Sequence, residues 1–282
     1  GAIEEIIVTA TKQSTALSKT PISIAAYSQE ALDKRGVRDI RDVINQTPGV
    51  DITRSGATRV TIRGIDSTAG AATSAIYIDD TPVQARNASL NYNGSTLPFI
   101  FDLERVEVLR GPQGTLFGAS SQGGAIRFIT PTPSLTSYSG YGRAAINTTK
   151  HGGEGYELGV AVGGPIIQDK VGARISFYHR EDAGWIDRQS WQNPASRDED
   201  VNSSAATVIR AVLTIQPTDW LTITPSIYHQ NSKFDDRTLL TTRCSATTGS
   251  IINPTMVPCP QGASDPNNGK FISYASIPQP SS

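Results

Sequence analysis

The stretch Leu103-Glu104-Arg105-Val106-Glu107-Val108-Leu109-Arg110-Gly111-Pro112-Gln113-Gly114-Thr115-Leu116-Phe117-Gly118 organises the reading of the whole chain. Its first half, Arg105 to Leu109, is rich in β-branched residues and reads as a strand. Its second half is punctuated by Gly111, Gly114 and Gly118, followed by Gly123 and Gly124. A glycine-rich run after a strand can cradle a phosphate. This one lacks the Gly-Lys-Ser/Thr ending, which argues against a nucleotide site. The glycines instead permit tight turns. Ala125 to Ile129 returns to strand, and Pro131 and Pro133 close the segment.

Towards the N-terminus, Ile76-Tyr77-Ile78 leads into the turn signal Asp79-Asp80-Thr81-Pro82. These two carboxylates are adjacent, so in extended chain they face opposite ways and do not converge for catalysis. Val60, Ile62 and Gly64 alternate with Thr61, Arg63 and Ile65. Asp39 to Gln46 places Ile40, Val43 and Ile44 at helical spacing, stopped by Thr47-Pro48-Gly49. Ser28 caps a helix over Gln29 to Arg35 with Gly36 as its stop. Thr20 to Ala25 reads as a short strand, and Ile6-Ile7-Val8 is a short apolar run.

Beyond Tyr138 the texture changes to segments of about ten alternating residues. Five candidates follow: 138–149, 156–162, 171–178, 205–215 and 221–228. In the second, Tyr156, Leu158, Val160 and Val162 share one face, and Glu157, Gly159 and Ala161 the other. In the third, Val171, Ala173, Ile175 and Phe177 oppose Gly172, Arg174, Ser176 and Tyr178. In the fifth, Leu221, Ile223 and Ile227 oppose Thr222, Thr224, Ser226 and Tyr228. The connections are short after the second and fourth segments, with a longer polar loop over Asp182 to Asn202 and about 50 loop-like residues from Ser232. Short turns at one end and long loops at the other are a barrel habit. Arg174, Glu157, Arg210 and Gln230 on the second faces suit a wet lumen better than a packed sandwich. Tyr156, Trp185 and Trp220 lie near strand ends, where an aromatic girdle would sit. On alternation alone, a soluble sheet with one wet face remains open.

Composition narrows the classes. Apolar content is 37 %, charged residues are 18 %, and Gly (25) and Pro (17) are generous, which suits short strands and turns. A net charge of −1 gives no basic footprint, so no nucleic-acid partner is expected. No apolar run approaches the roughly 20 residues of a membrane helix, which leaves β-barrels untouched. His151, His179 and His229 are scattered, with no metal-like spacing. Neither a catalytic set, a metal site nor a cofactor is expected. Cys244 and Cys259 would close a loop as a disulfide in an exported chain; two free thiols are the alternative. The start at Gly1, without a charged-then-apolar leader, reads as a signal peptide absent or already removed.

The blocks in their order resemble TonB-dependent outer-membrane receptors. Glu4-Glu5-Ile6-Ile7-Val8-Thr9-Ala10 resembles the TonB box. Thr20-Pro21-Ile22-Ser23-Ile24, Asp42 to Val50, Ile62-Arg63-Gly64, Tyr77 to Val83 and the opening stretch with Gly123-Gly124-Ala125-Ile126 resemble the plug. The resemblance implies residues 1–20 as box and linker, 21–133 as an α+β plug, and 134–282 as the N-terminal part of an antiparallel transmembrane β-barrel with surface loops. Such barrels close with about 22 strands; with five candidates and an end at Pro280-Ser281-Ser282, the chain reads as a fragment. Its start beside the box reads as leaving no room for a signalling domain, so transport without transcriptional signalling is expected.

By the same resemblance, the chain would import a bulky nutrient, foremost an iron–siderophore complex, across the bacterial outer membrane. A carbohydrate, cobalamin or other large nutrient is the alternative, as is a surface module that binds without transporting. TonB with its inner-membrane ExbB/ExbD motor would pair with Glu5, Ile6, Ile7, Val8, Thr9 and Ala10, and the backbone of Ile6, Ile7, Val8 and Thr9 is expected to be unpaired and open to strand addition. Arg63 and Arg110 would pair with carboxylates on the barrel wall. Arg86, Asn87, Asn91, Tyr92 and Asn93 would meet the nutrient at the plug apex. Outer-membrane lipid would surround the wall.

Overall fold

The computed structural model describes residues 6–53, 59–65, 72–83, 97–150, 152–190, 197–235 and 271–275. The first module runs β1 (Ile7–Val8), β2 (Thr15–Ala16), a 3-10 turn at Leu17–Lys19, β3 (Ile24–Ser28), α1 (Gln29–Lys34), α2 (Ile40–Gln46), β4 (Val50–Thr53), β5 (Arg59–Ile62), β6 (Ser74–Ile78), β7 (Thr81–Pro82), β8 (Arg105–Arg110), α3 (Gly114–Phe117) and β9 (Gly124–Ile129). Ser28 caps α1, accepting from the Ala31 N–H at 3.2 Å. Asp39 caps α2, and Asp42 returns the favour to the Asp39 N–H in a capping box. The strand expected from Thr20 forms later, at Ile24, because Pro21 has no N–H to donate. The glycine run contains one helical turn, α3, between its first strand and its second.

Five strands make the central sheet in the order β3-β8-β9-β6-β7; β6 and β9 are parallel, the rest antiparallel. Alternation sorts its side chains onto two faces. Ile76, Ile78, Val106, Val108, Ile126 and Phe128 pack with Leu32, Val37, Ile40, Val43 and Ile44 around the two helices. Each such burial contributes about 1.5–3 kcal/mol. The opposite face carries Ala75, Tyr77, Leu109 and Ala125, covered by Ala10 and by Phe117 of α3. Arg105, Glu107 and Arg127 lie on this second face, with Glu107 directly opposite Arg127 in register.

The second sheet is made of β10 (Ser139–Thr148), β11 (Glu154–Ile167), β12 (Val171–Asp182), β15 (Ser204–Thr218), β16 (Leu221–Ile223) and β17 (Ser226–Phe234). Its order is β10-β11-β12-β15-β16, with β17 also on β15, so each strand except β17 joins its predecessor among these six. The fifth predicted strand is interrupted at Thr224-Pro225, where proline cannot continue the ladder. It resumes and runs on to Phe234, past the residue where loop was expected. Part of the Asp182–Asn202 connection, which the sequence predicts as loop, is strand: β13 (Ile186–Ser190) and β14 (Arg197–Asp198) pair antiparallel there. A strand β18 (Phe271–Ala275) adds parallel to β13.

Burial on this sheet is inverted relative to a soluble protein. Tyr156, Leu158, Val160 and Val162 face out from β11, while Gly155, Glu157, Gly159 and Ala161 face in. On β12, Ile175 and Phe177 are exposed and Arg174, Ser176 and Tyr178 are buried; on β15, Ile209 and Leu213 are exposed and Arg210 and Thr214 are buried. An apolar band this continuous is intolerable in water and natural in lipid. Among the described residues, no helix is long and apolar enough to cross a membrane.

Two compact units divide the chain. One comprises Gly1–Tyr141, Val160–Phe177 and Val208–Gln230; the other comprises Gly142–Gly159, Tyr178–Thr207 and Asn231–Ser282. In the second unit, inward Glu157 accepts from Tyr178 Oη at 3.2 Å and lies 3.1 Å from Arg143 Nε. The Arg143 guanidinium stacks 5.4 Å from the Tyr178 ring centre. Glu157, Tyr178 and Arg143 thus interact with one another on the inner face.

Candidate functional site

Residues 6–10 do not present a free strand. β1 pairs antiparallel with β2, Ile7 opposite Ala16 and Val8 opposite Thr15. Val8 and Ala10 are fully buried, and Ile7 is half-exposed. The expectation of unpaired backbone is therefore corrected: the local sequence can turn back on itself at Thr9–Lys12, where the Lys12 N–H reaches the Thr9 carbonyl at 3.0 Å. Glu5 lies outside the described residues.

Thr9 docks on the second face of the central sheet. Its N–H donates to Glu107 Oε1 at 2.9 Å, and its hydroxyl oxygen accepts from Arg127 Nη1 at 2.9 Å and Arg105 Nη2 at 3.2 Å. Glu107 is 0 % exposed. It also accepts from Arg105 Nε at 2.8 Å and Arg127 Nη1 at 2.6 Å. The chain of opposite charges continues outward: Arg105 meets Glu104, while Arg127 Nη2 lies 3.2 Å from Asp80, which also holds Lys12. Asp80 is held below its ordinary 3.8 chiefly by the Lys12 hydrogen bond, against a desolvation penalty and with help from the charges of Lys12 and Arg127. Lys12 and Arg127 both lie over the Phe117 ring, 5.0 and 5.3 Å from its centre. Asp79 faces the other way, accepting from the Thr130 N–H at 2.8 Å.

Arg63 reaches Gly111, the residue that follows Arg110 in the chain. Arg63 adopts φ +54, and its Nη1 lies 2.9 Å from where a Cβ on Gly111 would be. Arg110 Nη1 donates to the Pro48 carbonyl at 3.0 Å. Among the described residues neither arginine meets a carboxylate. The ion pair that links the first module to the second sheet has the opposite polarity. Arg174 of β12 grips Asp102 with two guanidinium nitrogens, Nε at 2.9 Å and Nη2 closer still, and both residues are buried. Arg210 Nη2 adds a bond to the Pro131 carbonyl at 3.2 Å, Tyr141 Oη one to Asp33 at 2.9 Å, and Gln230 Nε2 one to the Leu97 carbonyl at 3.2 Å. Sequence reading marked Arg174 and Arg210 as wet-face residues and missed these partners. Arg86, Asn87, Asn91, Tyr92, Asn93, Cys244 and Cys259 lie outside the described residues.

Comparison with known proteins gives this geometry a setting. Residues 16–125 match the family model of the TonB-dependent receptor plug domain. The pesticin receptor of Yersinia pestis is 28 % identical over 220 residues, covering 76 % of this chain and 30 % of its own length. The iron-regulated outer membrane virulence protein of Vibrio cholerae is 35 % identical over 133 residues, covering 45 % and 20 % respectively. The chain thus spans under a third of these relatives. Among solved structures, the ferric yersiniabactin uptake receptor FyuA of Yersinia pestis superposes with a TM-score of 0.62 at 23 % identity, over 77 % of this chain and 33 % of that one. The ferripyoverdine receptor of the Pseudomonas aeruginosa outer membrane gives 0.62 at 22 % identity, over 80 % and 28 %. At these identities the structural likeness speaks for the fold.

Proposed function

From the premise that this chain belongs to the TonB-dependent receptors of the bacterial outer membrane, we propose that it works in energy-coupled import of a bulky nutrient, with an iron–siderophore complex as the cargo. The observation that carries this reading is a plug-type module tied by Asp102 and Arg174 to a sheet whose apolar side chains face outward. Residues 1–20 are read as box and linker, 21–133 as plug and 134–282 as barrel wall. TonB, driven by the ExbB/ExbD motor, takes residues 5–10 by strand addition once they leave the plug. Arg63 and Arg110 pair with wall carboxylates, Arg86 to Asn93 meet the cargo, and Cys244 and Cys259 close a surface loop. The iron reading leans on the names of relatives: a ferric yersiniabactin uptake receptor and a ferripyoverdine receptor. A second cargo class is favoured by the vitamin B12 transporter of Vibrio vulnificus, 26 % identical over 131 residues.

Two measurements test the proposal. Capture of the receptor by the periplasmic domain of TonB should be lost when residues 5–10 are deleted; unchanged capture refutes the assignment of the box. Uptake of radiolabelled iron across a panel of ferric siderophores, with cobalamin and glycans in parallel, identifies the cargo. Dependence on none of them leaves the non-transporting surface module as the reading.

A further inference from the structure

Sheet pairing accounts for Glu107, Arg105 and Arg127 as neighbours on β8 and β9, but not for Thr9, which is 98 residues away in the chain. A buried ion cluster loses hydration on every member and is stable only when each donor and acceptor is matched. Thr9 provides both kinds of match. Its N–H completes the Glu107 carboxylate, and its hydroxyl oxygen accepts one hydrogen from each arginine. The remaining polar tie nearby, Lys12 to Asp80, is exposed and holds little. Apart from the backbone pairing of β1 with β2, the polar hold on residues 6–10 among the described residues is therefore concentrated at Thr9.

We propose that Glu107, with Arg105 and Arg127, is the catch on Thr9 that keeps residues 6–10 docked and so sets how often this segment is offered to the periplasm. The three are positioning residues: they touch neither cargo nor partner. The proposal rests on the reading of residues 5–10 as the partner-binding segment. Release exchanges the Thr9 contacts for water and leaves the Glu107–arginine pairs behind in the sheet, so the plug keeps its charge balance while the segment departs.

The test uses the receptor in lipid vesicles, without cargo, with Cys244→Ser and Cys259→Ser throughout. A nitroxide is placed through Ile7→Cys, and in a parallel sample through Glu30→Cys on α1 as a fold reference. Thr9→Val, which replaces the hydroxyl with a methyl group of similar size, is expected to raise the mobile fraction at position 7 about tenfold, the effect of losing charge-assisted hydrogen bonds, with position 30 unchanged. Glu107→Gln should do the same or more, and Lys12→Gln should stay within about threefold of the parent. An unchanged position 7 in Thr9→Val, with position 30 also unchanged, overturns the proposal. Should Glu107→Gln mobilise both labels, the plug has melted in that variant and Thr9→Val decides alone. Capture of Glu107→Gln by the TonB periplasmic domain is the second readout. Mobilisation at position 7 without increased capture upholds the catch and counts against the partner reading.

Discussion

Arg174 reaches from β12 into the first module and holds Asp102 through two guanidinium nitrogens, each aimed at a different carboxylate oxygen. Asp102 is in turn kept at φ +53, a conformation that costs an L-residue energy and persists only when its surroundings fix it. Removing either partner strands a buried charge at a cost of about 3–5 kcal/mol. Asp102→Asn should therefore loosen the plug, seen as a lower urea midpoint for plug protection against trypsin. The paired change Asp102→Leu with Arg174→Met should recover most of that loss, since apolar replacement of a buried ion pair is often neutral. Equal losses in the single and paired variants would show that the contact contributes through shape alone.

Outward-facing Leu158 sits between Tyr156 and Val160 on the exposed band of β11. Leu158→Lys should destabilise the wall by about 2–4 kcal/mol if this position is near the bilayer midplane. The measurement is urea-dependent folding into lipid vesicles, read by the heat-modifiable band on a gel. A neutral effect would place β11 in water.

The Asp80 carboxyl titrates below 3.8 because Lys12, first, and Arg127 favour its charged form. A carboxyl depressed by folding gives its full stabilisation above the ordinary value and loses it as pH falls through the lower, folded value. Plug protection should hold steady from about pH 7 to pH 5 and decline below 3.8, so far as Asp80 contributes. Lys12→Gln should flatten that decline, because the largest source of the shift is removed. Since Asp80 is largely exposed, solvent screens the pair and the effect is small.

Gly124 begins β9 at φ +152, and a Cβ there would fall 2.1 Å from the Leu109 carbonyl oxygen. That neighbour is backbone in the interior strand β8, paired on both sides, so it cannot step aside. Gly124→Ala should prevent β8 and β9 from closing at this end, and destabilise the plug far more than Gly114→Ala, where a Cβ meets nothing within 4 Å. Comparable protease resistance in the two variants would contradict this.

Much of the architecture is written locally. Leu158 and Val160 against Glu157 and Gly159 tell the outer from the inner face of β11 without any tertiary knowledge, because lipid and lumen impose a period of two. Ser28 and Asp39 announce their helices because capping is settled within four residues. The links that cross the fold are not local. Asp102 and Arg174 are 72 residues apart, and nothing in either neighbourhood names the other. Arg63 and Arg110 drew attention as arginines beside strand-end glycines, yet in this structure they rest on Gly111 and Pro48. Thr9 was hidden for the same reason: a β-prone run looks like a free strand until the sheet that covers it is known. Pro225 was readable as a break, and the period-two pattern around it outweighed the signal.

Phe117, Ala75, Ala125, Tyr77 and Leu109 share their face with Arg105, Glu107 and Arg127. If residues 6–12 are drawn off that face, what comes into view is two alanines, two aromatic rings and Leu109 interspersed with ions, a floor that water can partly wet. A floor of large aliphatic side chains would stick to its surroundings once bared. This one, with ions set among its rings, is a surface that the same cover can leave and rejoin.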